Sequence, residues 1–270
     1  MKLAFSTLGC PQYNMDQIID MAVKNNYQGI EIRAVSGTVM IADLDEFKGE
    51  GLKETAKKLK DAGIAVACLG TSLGFYTANA EIQKKQLEDA KIAIEIAAAL
   101  DCKYLRTFGG PMPAMQSFTE TLKWIWDGYQ KLCDLTETAN MIPVLETHDD
   151  YSTSPRIREI IDGLPGRKIG VCWDFVHSVR FGESPEDTYA ALKDYIFHAH
   201  VKDSKVFDAR GTDFQLTGEG TVPIKECIAL LKSGGYDGYL SFEWEKLWHP
   251  EIQEPEVAIP HYAENINKLI

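Results

Sequence analysis

The chain has 270 residues, of which 45% are hydrophobic and 25% are charged, a composition typical of a globular protein with a sizeable core. Its formal net charge of −12 repels phosphate backbones, so we expect no nucleic-acid partner. We see no signal peptide and no apolar run of about 18 residues, and we therefore expect no membrane partner and a cytoplasmic location. The six cysteines are scattered without a CxxC pair, which favours free thiols in a reducing compartment.

Short apolar segments alternate with segments of helical period along the whole chain. The strand-like segments are KLAFST (2–7), GIEIR (29–33), IAVACLG (64–70), YLRTFGG (104–110), PVLETH (143–148), KIGVCWDF (168–175), IFHAHVKD (196–203) and GYLSFEWE (238–245). The helical segments are 15–26, 52–63, 84–101, 117–140, 155–164 and 223–235. This alternation predicts parallel strands with right-handed crossovers. Eight units favour a closed (β/α)8 barrel, a TIM barrel, and without a linker we expect one domain over residues 1–270.

Two other features of the sequence bear on function. No GxGxxG or GxxxxGK[ST] motif follows the first strand-like segment, which disfavours the nucleotide-binding sheet folds. The longest irregular segments are roughly 203–222 and the proline-rich tail after Glu245. Long loops at the C-terminal face of a barrel commonly shape the active site. We expect the tail to close over the pocket or to contribute to a subunit contact.

Four side chains of metal-ligand type lie near the C-terminal ends of different strand-like segments. They are Glu146, Asp174, His200 and Glu243. Because a parallel barrel brings these strand ends to one face, the four side chains are expected to converge. Three carboxylates and one imidazole are a hard, oxygen-rich ligand set. We therefore expect one divalent metal ion, Mn²⁺ in the first place, with Mg²⁺, Co²⁺ and Zn²⁺ as alternatives.

Two of these ligand positions have a neighbour on the same face of the strand. His198 and His200 share a face by the two-residue alternation of a strand, and His200 lies nearer the barrel mouth. His198 is then expected in the core or beside a ligand. Glu243 and Glu245 point the same way for the same reason, so the residues alone leave the ligand of the last strand open.

The C-terminal half of the chain resembles a known family. The sequences LETHDD, GVCWDFVHS, HAHVKDS with the later LTGEGTVP, and GYDGYLSFEWE resemble the sugar isomerase and epimerase group with a xylose-isomerase-like TIM barrel. That group includes ketose 3-epimerases, hydroxypyruvate isomerases and inosose dehydratases. The resemblance implies metal ligands at Glu146, Asp174, His200 and Glu243, the substrate-contacting histidine at His177, and an acid/base pair formed by Glu146 and Glu243.

The function implied is a divalent-metal-dependent isomerase or epimerase acting on a small ketose or related sugar. It would abstract a proton next to a carbonyl through a metal-stabilised enediolate. A metal-dependent lyase acting on a keto-inositol or a 3-keto-glycoside is the alternative, because it begins with the same proton abstraction. A non-catalytic accessory barrel is a third class. The related apurinic-site endonucleases need extra histidines from early strands, and this chain has none before His148. Family relatives are commonly oligomers, so a homo-oligomer is also expected.

Further polar residues near the strand ends are candidate substrate contacts. They are Glu31, Arg33, His148, Lys202, Arg210 and Glu245. Glu31 and Arg33 share a face and are expected either to contact sugar hydroxyls or to pair with charged neighbours. His148 alternates with Glu146 and lies closer to solvent. Lys202 is expected to hold a substrate anion or to pair with a carboxylate, and Arg210 to reach a phosphate or to be solvated, so substrate phosphorylation stays open.

Overall fold

Eight parallel strands close into a barrel in the computed structural model, which describes residues 1–205 and 212–270. The strands in chain order are β1 (Lys2–Ser6), β2 (Gly29–Ile32), β3 (Ala65–Gly70), β4 (Tyr104–Phe108), β5 (Ile142–Glu146), β6 (Gly170–Asp174), β7 (Ile196–Val201), β8 (Asp203–Ser204), β9 (Phe214–Gln215) and β10 (Tyr239–Phe242). The barrel runs β1–β10–β7–β6–β5–β4–β3–β2 and closes on itself, while β8 and β9 form a separate antiparallel pair. The predicted single TIM barrel is confirmed.

The register of the strands sets which side chains meet at the C-terminal face. Asp174 lies opposite His200 where β6 pairs with β7, and His200 lies opposite Ser241 where β7 pairs with β10. Phe108 lies opposite Glu146 across β4 and β5. The last residues of these strands are therefore level with one another, which brings widely separated parts of the sequence to one end of the barrel.

Helices surround the barrel and connect its strands. They are α1 (Met15–Lys24), α2 (Gly49–Asp61), α3 (Ala80–Ala99), α4 (Phe118–Thr138), α5 (Ser154–Asp162), α6 (Phe175–Arg180), α7 (Pro185–Leu192), α8 (Ile224–Ser233) and α9 (Pro255–Ile266). Asn14 and Ser117 form capping boxes at the starts of α1 and α4. The apolar face of α4 is buried against the barrel through Ile125, Tyr129 and Leu132.

The tail of the chain differs from the sequence-based expectation. Residues 255–266 form helix α9 on the outside of the barrel, and Tyr262 stacks on Phe242 with ring centroids 4.6 Å apart. Pro255 occupies the first turn, where its missing N–H costs nothing, so a proline-rich stretch is compatible with a helix start. Only the segment before α9, with Trp248, reaches the cavity at the barrel mouth. Closure over the pocket therefore holds only for the first part of the tail, and a subunit contact through the second part stays a prediction.

All six cysteines are buried and free, in agreement with their scattered spacing. Burial raises the pKa of each of these thiols, so they are protonated and unreactive at neutral pH. Within residues 1–205 and 212–270, no helix is both long enough and apolar enough to cross a membrane.

Candidate metal centre

The four ligand-type side chains meet at the C-terminal end of the barrel. Glu146 ends β5, Asp174 ends β6, His200 is the penultimate residue of β7, and Glu243 directly follows β10. One donor atom from each lies within 4.8 Å of the donor atoms of the other three, and all four residues are buried. Four strands that are separated in sequence thus contribute to one cluster, which has the composition that the sequence predicts.

One nitrogen of His200 faces the three carboxylates of the cluster. Its Nδ1 lies 3.1 Å from Glu146 Oε1, 3.3 Å from Glu243 Oε2 and 3.8 Å from Asp174 Oδ2. Glu146 Oε2 and Asp174 Oδ2 are buried acceptors that receive no hydrogen bond. The nearest cations are Arg106 Nε, 3.3 Å from Glu146 Oε2, and Lys202 Nζ, 3.0 Å from Asp174 Oδ2, so lone pairs on both oxygens remain open to a metal ion. The residues therefore fit a divalent ion held by one nitrogen and three oxygen ligands.

Asp174 divides its two oxygens between the fold and the cluster. Its Oδ1 accepts hydrogen bonds from the backbone N–H groups of Val176 at 2.9 Å and His177 at 3.2 Å, so it caps helix α6. Its Oδ2 faces His200 in the cluster. The geometry is therefore compatible with helix capping and metal ligation by the same carboxylate. The cap also fixes the carboxylate plane, which aims Oδ2 at the cluster.

Glu31 lies beneath the cluster, inside the barrel, and is completely buried. Its Oε2 is 2.9 Å from Nε2 of His200, 2.8 Å from Nε2 of His198 and 3.0 Å from Oγ of Ser241. Burial raises the pKa of Glu31, but the two histidines outweigh this effect and hold it well below its usual value. An ionised Glu31 holds the Nε2 edge of His200, which leaves Nδ1 for the cluster. Of its two expected roles, pairing with neighbours is the one that the structure shows.

Lys202 is fully buried beside the cluster and is surrounded by carboxylates. Its Nζ lies 2.6 Å from Glu243 Oε2, 2.6 Å from Glu245 Oε1 and 3.0 Å from Asp174 Oδ2. Lys202 therefore pairs with carboxylates, the second of its two expected roles. Glu245 contacts this lysine and stays outside the four-residue cluster, so the geometry favours Glu243 over Glu245 as the ligand of the last strand.

The charges around the cluster do not balance within the protein. Arg106 is fully buried, and its Nε lies 3.3 Å from Glu146 Oε2. Among the described residues, and with His200 neutral as metal binding requires, the three ligand carboxylates, Glu245 and Glu31 carry five negative charges, against the three positive charges of Lys202, Arg106 and Arg33. The excess of two negative charges equals the charge of one divalent cation, which supports the same conclusion as the donor set.

The pKa values of the cluster residues follow from burial and from their close charges. Burial lowers the pKa of His200, but the surrounding carboxylates raise it well above its usual value. Burial raises the pKa of Asp174 to about 6, although Lys202 opposes the change. Because a metal ligand must be deprotonated at its donor atom, an ion at this site would compete with the proton on His200 Nδ1.

A cavity opens above the cluster and contains several of the expected substrate contacts. Its lining residues are Leu8, Arg33, Arg106, Phe108, Glu146, His148, Glu243, Glu245 and Trp248. His148 and the buried His177 pack edge to face with ring centroids 4.4 Å apart, and both line an adjoining cavity. His177 also lies close to the cluster, because its Nε2 is 3.5 Å from Lys202 Nζ. Arg210 lies outside the described residues.

Two residues of the site were missed from the sequence. Phe108 forms part of the cavity wall, with the guanidinium of Arg106 4.2 Å from its ring centroid. Its position at the end of β4 could have indicated this role, because the other candidate residues were chosen for lying at strand ends. Ser241, which donates to Glu31, precedes Glu243 by two residues and so shares its face of β10.

The fold and the four-residue cluster together define a TIM barrel with a candidate metal site. Comparison with known proteins identifies the family to which the chain belongs. The chain belongs to the family described as the xylose isomerase-like TIM barrel, whose sequence model matches residues 19–269. It is 23% identical to a 3-dehydroshikimate dehydratase of Bacillus anthracis, with 84% of each chain covered. It is 20% identical to a fructoselysine 3-epimerase of Shigella flexneri, with 100% of this chain and 98% of the epimerase covered.

A solved structure of the IolI protein with a bound zinc atom has the same fold. Its TM-score against this chain is 0.84 at 20% sequence identity, and the alignment covers 100% of this chain and 98% of the IolI chain. At this identity the likeness shows the fold alone. The relatives with named activities are enzymes, one a dehydratase and the other an epimerase.

Proposed function

We propose that the protein is a divalent-metal-dependent isomerase or epimerase, which moves a proton at the carbon next to the carbonyl of a small ketose or related sugar. One observation carries this proposal: Glu146 and Glu243 both belong to the metal cluster and both line the cavity above it. A substrate in this cavity would contact two carboxylates beside the same ion. Epimerisation needs such a pair, one group to take the proton and one to return it.

Both carboxylates are in the protonation state that a base requires. Burial raises the pKa of Glu243, but His200 and Lys202 outweigh it and hold the pKa well below its usual value. Burial and Glu243 raise the pKa of Glu146, whereas Arg106 and His200 lower it, and the net shift is downward. Each side chain is therefore ionised at neutral pH and either can take the proton, while the carboxylate that returns a proton to the opposite face would first have to receive one from solvent.

The wall of the cavity provides the remaining elements of the reaction. When bound, the divalent ion would supply electrostatic stabilisation of the negative charge that develops on the substrate oxygens. Phe108 and Trp248 offer apolar surface on which the carbon face of a sugar can rest, and Trp248 remains about half exposed at the mouth. Lys202 and Arg106 hold Glu243 and Glu146 in place from behind.

A metal-dependent lyase is the second candidate, and His148 favours it. His148 lines the same cavity as Glu146, and its Nδ1 lies 3.1 Å from Asp149 Oδ1. Burial lowers the pKa of His148, but the hydrogen bond to Asp149 outweighs this and raises it. A protonated histidine beside the base can protonate a departing hydroxyl, which dehydration requires and epimerisation does not. The similarity to a dehydratase supports this candidate.

The deciding experiment uses protein loaded separately with Mn²⁺, Mg²⁺, Co²⁺ or Zn²⁺, with metal content measured by elemental mass spectrometry. Each preparation is incubated in D2O with a panel of ketoses and keto-inositols, and the products are followed by NMR. Deuterium next to the carbonyl with inverted configuration supports the epimerase, conversion to an aldose supports the isomerase, and loss of a hydroxyl supports the lyase. We expect Mn²⁺ to give the highest rate.

The variant Asp174→Asn should lose both the ion and the exchange of deuterium. Its matched control is Asp127→Asn, which changes a carboxylate that pairs with Lys131 on the surface of α4. The control should retain both properties. A wild-type protein that binds no stoichiometric metal would contradict the proposal and favour an accessory barrel.

A further inference from the structure

Arg33 is the least satisfied buried cation at the cavity. Its side chain is only 8% exposed, and it donates one hydrogen bond, to Oγ of Ser72 at 2.9 Å. Across residues 1–205 and 212–270, no carboxylate oxygen lies within 4.0 Å of its guanidinium group. A guanidinium carries five N–H donors, so most of its hydrogen-bonding capacity is not used by the described part of the protein.

The other buried cations of this site are neutralised by the protein. Arg106 is paired with Glu146, and Lys202 lies against three carboxylates. Burying an ion without a partner of opposite charge costs several kcal/mol. Arg33 is buried nearly as completely as these two residues, yet within residues 1–205 and 212–270 no carboxylate contacts it, and only the more distant charges of Glu243, Glu31 and Glu146 act on it. The protein therefore bears a cost at Arg33 that a bound anion would relieve.

Arg33 also lies close to a second positive charge. The two side chains pass over Gly70, where an added Cβ would be 2.9 Å from Arg33 Cδ and 3.2 Å from Arg106 Nη2. Gly70 therefore leaves the space in which the two arginines approach each other. Burial and the charge of Arg106 lower the pKa of Arg33 to about 10, so it is still protonated at neutral pH. The two arginines concentrate positive charge on one part of the wall of a cavity that Glu146, Glu243 and Glu245 also line.

We propose that Arg33 binds an anionic oxygen group, a carboxylate or a phosphate, on the molecule that enters the cavity. A planar guanidinium with free donors matches such a group with two parallel hydrogen bonds. A neutral sugar hydroxyl could use the donors but would leave the charge uncompensated. Because Arg33 lines the same cavity as Glu146 and Glu243, one molecule in the cavity can contact all three residues. The inference rests on the proposed function only in taking this molecule to be the substrate.

Pairs of small ligands that differ in a single group test this inference. The acids are glycolate, glycerate and threonate, and their neutral partners are ethylene glycol, glycerol and threitol, in which CH2OH replaces the carboxylate. Glycerol 3-phosphate, compared with glycerol, represents the phosphate source. The three acids vary the distance from the carboxylate to the terminal hydroxyls. Dissociation constants are measured by isothermal titration calorimetry on Mn²⁺-loaded protein.

We expect at least one anion to bind about tenfold more tightly than its neutral partner, because a charge-assisted hydrogen bond contributes more than a neutral one. In Arg33→Gln this advantage should fall below about threefold, while binding of the neutral partner is unchanged. Arg33→Lys should keep part of the advantage. Preference for glycerol 3-phosphate identifies phosphate as the group, and preference for an acid identifies carboxylate.

The control for the loss of one positive charge is Arg167→Gln, which changes an arginine that pairs with Asp134 on the outside of the barrel. It should leave every dissociation constant unchanged. If the anions still bind more tightly than their neutral partners in Arg33→Gln, a group other than Arg33, such as the metal, binds the anion, and the inference is overturned. Equal binding of anions and neutral partners by the wild type would also overturn it. The metal content separates a failure of this inference from a failure of the proposed function. Arg33→Gln should keep its Mn²⁺ whatever its anion binding, whereas a wild type that holds no metal would contradict the proposed function.

Discussion

Glu31 Oε2 lies 2.9 Å from Nε2 of His200, on the opposite edge of the imidazole from the nitrogen that faces the metal cluster. A ring held in this way presents one fixed nitrogen to the cluster, and the carboxylate increases the basicity of that nitrogen. The two residues come from β2 and β7, which are not neighbours in the sheet, so the contact crosses the interior of the barrel. The metal site thus depends on a residue that is not itself in the cluster.

Replacing Glu31 should weaken metal binding without removing a ligand. We expect Glu31→Gln to raise the dissociation constant for Mn²⁺ about 10- to 100-fold, the range found when an outer partner of a metal ligand is lost. Competition with a chromophoric chelator measures the constant. The control Glu81→Gln changes an exposed glutamate in the first turn of α3 and should have no effect. Unchanged affinity in Glu31→Gln would show that Glu31 does not position His200.

Replacing Lys202 should destabilise the protein, and bound metal should reduce the loss. In Lys202→Met, the carboxylates of Asp174, Glu243 and Glu245 lose their shared cation, and breaking a buried ion pair typically costs about 3–5 kcal/mol. Urea unfolding of the metal-free protein measures this loss, and saturating Mn²⁺ should recover part of it because the ion restores positive charge.

The control for Lys202 is Lys57→Met on the surface of α2. The side chain of Lys57 is 75% exposed and pairs with Asp61, so its loss should leave the free energy of unfolding nearly unchanged. Equal effects of the two substitutions would contradict the role given to Lys202.

Metal binding should release protons and weaken as the pH falls. The raised pKa of His200 means that the metal-free site holds a proton at neutral pH, and binding must displace it. Between about pH 6 and the pKa of His200, the apparent dissociation constant should therefore increase about tenfold for each unit that the pH falls.

Below about pH 6, Asp174 also becomes protonated, because its pKa is raised to about 6, and the dependence on pH should steepen. Calorimetric titrations with Mn²⁺ in two buffers of different ionisation enthalpy count the protons. We expect release of about one proton at pH 7 and more than one near pH 5.5. Release of no proton at pH 7 would contradict a protonated His200 in the metal-free site.

Replacing His148 should separate the two candidate reactions. If the protein is a lyase that uses His148 as its acid, His148→Asn should lower kcat for dehydration by about 10²–10⁴, the usual contribution of a general acid. Exchange of the proton next to the carbonyl for deuterium should continue, since Glu146 remains. If the protein is an epimerase, the rates of deuterium exchange and of epimerisation should fall by no more than a few-fold in His148→Asn. Parallel loss of exchange and dehydration would assign His148 to an earlier step.

Much of the fold was predictable because the strands of a barrel have a simple signature. Each strand-like segment overlaps an observed strand, and the errors at the ends amount to a few residues, as for 238–245 against Tyr239–Phe242. The four cluster residues followed from the rule that strand ends meet at one face. Helices α6, α7 and α9 were missed, since α6 has only six residues and α9 lies in the proline-rich tail.

The roles of individual residues near the cluster were less predictable. The sequence shows that Glu31 and Arg33 share a face, but their depth depends on the register of β2 against β1 and β3. In the fold, Glu31 lies under His200 whereas Arg33 reaches the cavity. The same limit applies to Glu243 and Glu245: Lys202 lies 2.6 Å from both, and only the closeness of Glu243 to the other cluster residues separates them. Contacts across the barrel interior leave no periodic signal in the sequence.

The closure of the barrel between β1 and β10 has a consequence for synthesis of the protein. Glu243, the last member of the cluster, follows the strand that closes the ring, so the ribosome makes Glu146, Asp174 and His200 well before it. Until that strand is released, β1 and β7 present open edges and the ion lacks one of its carboxylates. The full set of four candidate ligands therefore exists only late in the synthesis of this chain, and a metal ion that meets the chain earlier would find an incomplete set.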